Sequence, residues 1–480
     1  MTDPSMAGRI TDLSRWSMLA VLVYAPWAFG CTRPWTIEVL TILLGIAIGL
    51  WLISLIAARK LPQVPVALAV CSVLLIGCGW WMVVNAKFAF DPTTWTFEQR
   101  AALVPSAPGS IDYHRSWSSV LLVTGLLGAM CLVCDMGCNA RWRKRLVWTM
   151  AVTGASIALF GLLQRMLGAP SIFWQALDTG TTFFATYRYH SNAGAFLNLV
   201  WPLTVLGWVM AWRRQARPVW IALWGAAVLL CFCGLVVSGA RAAGAIAVLL
   251  LVLWGGWIGR QVRRGRLPVP SKPTLVMGGT LLLLLVLAVA AMAGLDVSSR
   301  RWAKLTELFT ASNPRLRVDY VCLVMIPEAG WFGFGPGTFR IAFPYFSHVI
   351  ANAASGVWRY AHQDYLQTFI EWGYLGGVLW AVVLIGGLLR AARAVRQGEG
   401  EIPFRDRALQ FALTTALASA LMHALVDFPL QIASIQLYFL ALLAMHWNQA
   451  QWAGSLTQGR TASPRMDDLP NAKCRMSNAI

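Results

Sequence analysis

Acidic residues are scarce in this sequence: 20 Asp and Glu among 480 residues, against 39 Lys and Arg. With only 12% charged residues, the chain cannot coat a soluble globule of this length, and its 58% hydrophobic content exceeds what one core can bury. Walker loops, dinucleotide fingerprints, internal repeats and an Asp-x-Asp metal site on the outer loops are all missing. No small-residue cleavage site follows the first apolar run, so that run is expected to stay as an anchor. The ten cysteines make no disulfide framework, because most sit inside apolar runs as small hydrophobes. Cys31 and Cys322 are the exceptions, and a bridge between them stays open. Cys131, Cys134 and Cys138 fall at i, i+3 and i+7 on one helix face without a second ligand pair, which favours packing over zinc or redox chemistry.

What is present is a series of apolar runs of about 20 residues, the length a helix needs to cross hydrocarbon. The net charge of +19 falls in short clusters between them rather than in the patch of a nucleic-acid binder, so it reads as topology. The sequence predicts an all-α polytopic membrane protein of about twelve spans. Expected spans are Leu13 to Phe29, Trp35 to Ala58, Val66 to Val84, Ser118 to Asp135, Leu146 to Gln164, Ala193 to Trp212, Val219 to Val237, Ala242 to Gly259 and Thr274 to Gly294. Three more follow: one from near Asp364 to RAARAVRQ, then Ala408 to Asp427 and Leu430 to Trp447. Trp95, Tyr113 and Trp117 are placed at headgroup level, and RWRKR (Arg141 to Arg145) in an inner loop. Both termini are expected inside, with a disordered tail from 448 to 480. The chain divides into spans one to four (1–145), five to nine (146–294), a large outer loop (295–363) and spans ten to twelve (364–447).

That outer loop carries seven cations, Arg300, Arg301, Lys304, Arg315, Arg317, Arg340 and Arg359, against four anions. The positive-inside bias predicts the reverse, so an anionic ligand is the natural reason to keep them. Three outer stretches hold the costly polar residues. ATYRYHSNAGAFLNL supplies Arg188, His190 and Asn192, with Asn198 inside the following apolar run; the plain alternative for Arg188 is snorkelling to headgroups. VVSGARAAG supplies Arg241 among small residues that leave its fork room to grip phosphate oxygens. The third runs from NPRLRVDY, with Arg315, Arg317 and Tyr320, through the turn GFGPG to AHQDYLQTFIEWGYLGG. There Asp364, Gln367 and Glu371 share one helical stripe and His362 stands at its mouth. A lone histidine is more often structural, but one at a water–membrane boundary suits a general base. His423 and Asp427, at i and i+4, are expected to form a structural hydrogen bond.

Together the Arg and Asn before the sixth span, SGAR after the seventh, the R…Y…GFGPGTF loop and His-x-x-Tyr-Leu-x-x-x-x-Glu-x-Gly resemble the O-antigen ligase and polymerase family of bacterial inner-membrane glycosyltransferases. The resemblance covers most of Leu146 to Trp447. It implies a GT-C-like helical fold with a large periplasmic loop between helices 9 and 10. The implied reaction moves a glycan from undecaprenyl diphosphate to an acceptor hydroxyl at the periplasmic face, without metal or other cofactor. By the resemblance, His362 activates the acceptor hydroxyl, Arg188 and Arg241 bind the diphosphate, and Arg317 or Arg315 matches the loop arginine. Asn192, Tyr320, Asp364, Tyr365, Gln367 and Glu371 are supporting polar residues. YRYHSN departs from the family where Pro or Arg often precedes the Asn, which leaves the job of His190 open. Ligase, polymerase and protein-glycosylating members share the donor and differ in acceptor: lipid A core, glycan or protein. A transporter of lipid-linked glycan predicts inverted repeats and broken helices, and neither is apparent in the sequence. A purely structural membrane protein is the remaining rival.

Overall fold

The computed structural model describes residues 4–94, 96–175, 182–269, 314–349, 358–397 and 402–449. Helices dominate. They are α1 (Pro4–Trp27), α2 (Pro34–Ala58), α3 (Val66–Val84), α4 (Tyr113–Gly137), α5 (Ala140–Met166), α6 (His190–Arg213), α7 (Pro218–Ser238) and α8 (Arg241–Arg263). After the undescribed stretch come α9 (Pro314–Ala329), α10 (Phe339–Val349), α11 (Asp364–Gln397), α12 (Phe404–His423) and α13 (Ala433–Trp447). The expected ninth span, Thr274 to Gly294, and Trp95 lie outside the described residues.

Eight of these helices are long and apolar enough to cross a membrane. α1 falls short because Arg9, Asp12 and Arg15 interrupt it. α12 carries Arg405, Asp406 and Arg407 in its first turns, and α13 has 15 residues where a span needs about 20. Twelve spans is therefore more than the described helices establish. Nor is the chain wholly helical: Phe88–Asp91 and Thr96–Gln99 pair antiparallel as β1 and β2, between the expected third and fourth spans. RWRKR is likewise no loop. Asn139 caps α5 by accepting from the Arg141 and Trp142 amides, so the basic cluster forms the first turns of that helix, and Arg143 is buried.

α6 is the axis of the bundle. Nearly every residue from Ser191 to Leu206 is buried, and the helix packs on α5, α7, α8 and α12. Its close approach to α8 depends on Gly194, where a Cβ would lie 2.6 Å from that of Ala243. The apolar-run residue Asn198 is satisfied there, donating to the Ala243 carbonyl at 2.8 Å and accepting from Trp201 Nε1 at 3.1 Å. α13 is almost as buried and packs on α4, α11 and α12. A second, smaller core joins α9 and α10 to the start of α11 through Val318, Val321, Met325, Phe339, Phe343 and Ile370. Cys322 belongs to it and Cys31 to the main core; both are free thiols, so the bridge left open above is not made.

α11 is interrupted, contrary to the expectation of unbroken spans. Gly373 adopts φ 65° and ψ −171°, a conformation essentially confined to glycine. The backbone of residues 330–335 fills the gap. Phe334 and Gly335 amides donate to the Ile370 and Glu371 carbonyls, while Tyr374 and Leu375 amides donate to Gly330 and Trp331. Groups freed by the break are thus paired by backbone, as a membrane-depth interruption requires. The gap is filled rather than opened into a path of the kind a transporter uses.

Candidate functional site

Five separate segments meet at one end of α6: the loop before it, the turn into α8, the start of α9, residues 358–363, and the turn from α12 to α13. His362 is at their centre. Its backbone is held at φ 58°, a left-handed conformation uncommon for a non-glycine residue. The neighbours fix it, because the Ala361 amide donates to Gln367 Oε1 and the Asp364 amide to the Ala424 carbonyl, both at 3.0 Å. Such strain, of about 1–3 kcal/mol, persists only where surroundings impose it.

The imidazole reaches Asp427, with Nδ1 2.9 Å from Oδ1. Helix α12 ends at His423, so Asp427 sits in the turn beyond it, not on the helix as expected. His423 Nε2 lies 4.0 Å from Asp427 Oδ2, too far for the predicted direct hydrogen bond. Ser191 stands between them. Its hydroxyl donates to Asp427 Oδ2 at 2.5 Å and so receives from His423 Nε2 at 3.1 Å. Burial would raise the Asp427 carboxyl, but the hydrogen bond from His362, the Arg315 guanidinium and the neighbouring His423 and His362 rings hold it below the usual carboxylate range. An ionised Asp427 accepts a proton from Nδ1, which leaves Nε2 as the ring nitrogen the carboxylate does not engage. The His362 side chain is 20% exposed and that of Asp427 only 3%.

Aromatic rings surround this pair. Phe428 stacks on Tyr360 and Tyr189, with centroids 4.5 and 5.5 Å apart, and meets the His362 ring edge-on at 4.6 Å. Trp358 meets it edge-on from another side at 5.4 Å. Arg315 joins the assembly from α9, donating through Nη1 to the Val426 carbonyl at 2.8 Å and through Nη2 to the Tyr189 hydroxyl at 3.2 Å. Burial and Asp427 push the Tyr189 phenol up, while Arg315 and Arg241 pull it down, which sets Arg241 within electrostatic reach of the same cluster. Asp319, raised by burial, feels Arg315 and His362 in turn.

Of the arginines expected here, Arg315 therefore joins the cluster around His362, and Arg241 lies within electrostatic reach of Tyr189. Arg188 is exposed in the loop beside Tyr189, and Arg317 is exposed about 200° around α9 from Arg315. Tyr320 also stands exposed on α9. Asn192 is buried, with an Oδ1 that has no hydrogen-bond partner among the described residues. The stripe on α11 holds the frame. Asp364 accepts from the Leu430 amide and Gln431, anchoring the Asp427 turn. Glu371 accepts from the Gly337 and Phe339 amides and from Gln367, anchoring the GFGPG loop, and Tyr365 donates to the Leu421 carbonyl. Among the described residues, no three His, Cys, Asp or Glu side chains are grouped to hold a metal ion.

Ser191, Asp427, Tyr189 and Phe428 were not singled out as partners of His362 from sequence. The one available signal was Asp427 itself, an acid followed by Phe-Pro between two apolar runs, where an uncompensated charge is costly. No curated protein matches the chain. The family model described as O-Antigen ligase matches residues 226–381, from α7 through the break in α11, a stretch that includes Arg241, Arg315, Arg317 and His362 but not Arg188, Ser191 or Asp427. Over that stretch, about a third of its length, the chain is similar to the O-antigen ligase family.

Proposed function

We propose that the protein is a ligase-type glycosyltransferase that moves a glycan from undecaprenyl diphosphate to an acceptor hydroxyl at the periplasmic face of the bacterial inner membrane. The observation that carries this reading is the His362 Nδ1 to Asp427 Oδ1 hydrogen bond of 2.9 Å. It orients the imidazole so that Nε2 faces away from the carboxylate, available as a base, and it belongs to a cluster that also contains arginines. In the proposed step, Nε2 takes the acceptor hydroxyl proton as the oxygen attacks the anomeric carbon. The bond from that carbon to the diphosphate oxygen breaks, and the leaving diphosphate's added charge is met by preorganised guanidinium groups. Arg315 and Arg241 are assigned to the diphosphate, with Arg188 and Arg317 at its approach. In-line attack inverts the anomeric centre.

The basic clusters of α5, α6 and α8 support placing the opposite end of the bundle, and both termini, in the cytoplasm. The site at one end of a helical bundle accords with a GT-C-like arrangement. The test is transfer by the reconstituted protein from a lipid-linked glycan, offered in parallel lipid A core and a second lipid-linked repeat unit. Lipid A core glycosylated with inverted linkage supports the ligase reading. Growth of the repeat unit alone would make the protein a polymerase, and no transfer to either would remove the enzyme.

A further inference from the structure

About 27 Å along α6 from Asn192, at the other end of the bundle, a cleft of about 290 Å³ opens between α5, α6, α7 and the start of α12. Its floor is apolar, formed by Leu203, Leu206, Met210 and Trp224, and its rim carries Lys144, Arg214 and Arg405. Among the residues that line it the only acid is Asp406, and Arg405 Nε already donates to it at 3.1 Å. Arg143 is buried in the wall, with Nη1 donating to the Gly137 carbonyl at 2.8 Å. Trp148 and Trp220 are half exposed at the mouth, and Lys144 Nζ lies 4.6 Å from the Trp148 ring centre. Exposed tryptophans beside basic groups mark the headgroup level of a bilayer.

We infer that this cleft binds one anionic phospholipid, with its phosphate against the basic rim and an acyl chain along the apolar floor. A soluble anion would leave the floor unused, and a zwitterionic lipid would leave the excess positive charge unmet. Basic pockets between helices at the positively charged end of a membrane protein suit anionic headgroups on physical grounds. The site is far from His362 and independent of the glycosyl-transfer reading.

The test is native mass spectrometry of the full-length protein in detergent with dioleoyl phosphatidylglycerol, dioleoyl phosphatidylcholine or inorganic phosphate. Lys144 and Arg214 are exposed, so K144Q/R214Q spares the packing. Wild type is expected to retain one phosphatidylglycerol. K144Q/R214Q should retain it at least about tenfold less, and R263Q/R264Q, basic but outside the cleft, as well as wild type. Equal retention by K144Q/R214Q, equal loss in R263Q/R264Q, equal retention of phosphatidylcholine, or retention of phosphate in place of lipid would each overturn the proposal.

Discussion

His362 and Asp427 meet through Nδ1 and Oδ1 at 2.9 Å although 65 residues separate them in the chain. One belongs to the long loop and the other to the turn between the last two helices, so the contact closes the bundle end around the imidazole. Replacing Asp427 by Asn keeps the shape but presents an amide that no longer stabilises an imidazolium. Transfer by D427N should fall about 10²–10⁴-fold in kcat with a much smaller change in donor KM, measured by steady-state kinetics on the reconstituted protein. A KM effect alone would assign Asp427 to binding instead.

The pH dependence of stability follows from the same carboxylate. Asp427 is held below its ordinary 3.8, so its contribution is present above the unfolded value and lost as pH falls through the folded one. The Tm difference between wild type and D427N should therefore stay level from pH ~8 to ~5 and close only below pH ~4. Closure between pH 7 and 5 would mean that another group controls it.

Arg315 binds two acceptors from different segments, the Val426 carbonyl and the Tyr189 hydroxyl. Lysine keeps the charge but has no planar fork to bridge them. R315K should lower kcat about 10–100-fold, whereas Y189F, which removes one neutral partner, should cost less than about tenfold. Full activity in R315K would leave Arg315 a surface charge.

Gly373 is the point where α11 breaks, and a Cβ there would lie 2.4 Å from backbone atoms of Trp331 and Gly333. Alanine must expel that backbone or abandon the conformation. G373A should destabilise the fold by about 3 kcal/mol or more, seen as a lowered Tm and loss of transfer together. An unchanged Tm would contradict the inserted-loop geometry.

Much of the bundle was legible because apolar length alone locates a span. α3 begins and ends at the residues the hydropathy picked, Val66 and Val84, and α7 differs by one residue at each end. What escaped was whatever depends on tertiary pairing. The FAFD and TFEQ strands are short segments held by pairing with each other and by contacts that sequence does not show, such as the Phe90 amide donating to Asp112 Oδ1 at 3.1 Å. The break at Gly373 is invisible until residues 330–335 arrive to pair its freed backbone groups. His362 was legible through its position after a basic loop and before an amphipathic stripe. Asp427 was misread as helical, since periodicity does not mark where Phe428 and Pro429 stop the chain. Ser191 gave no signal, because a serine beside a helix start is ordinarily a cap.

The most direct test of the central claim is transfer by H362A in single-turnover conditions, with lipid-linked donor and acceptor both saturating. Loss of at least about 10³-fold in rate with donor binding retained is the expected result. A rate within about tenfold of wild type would show that the imidazole at this bundle end is not the base.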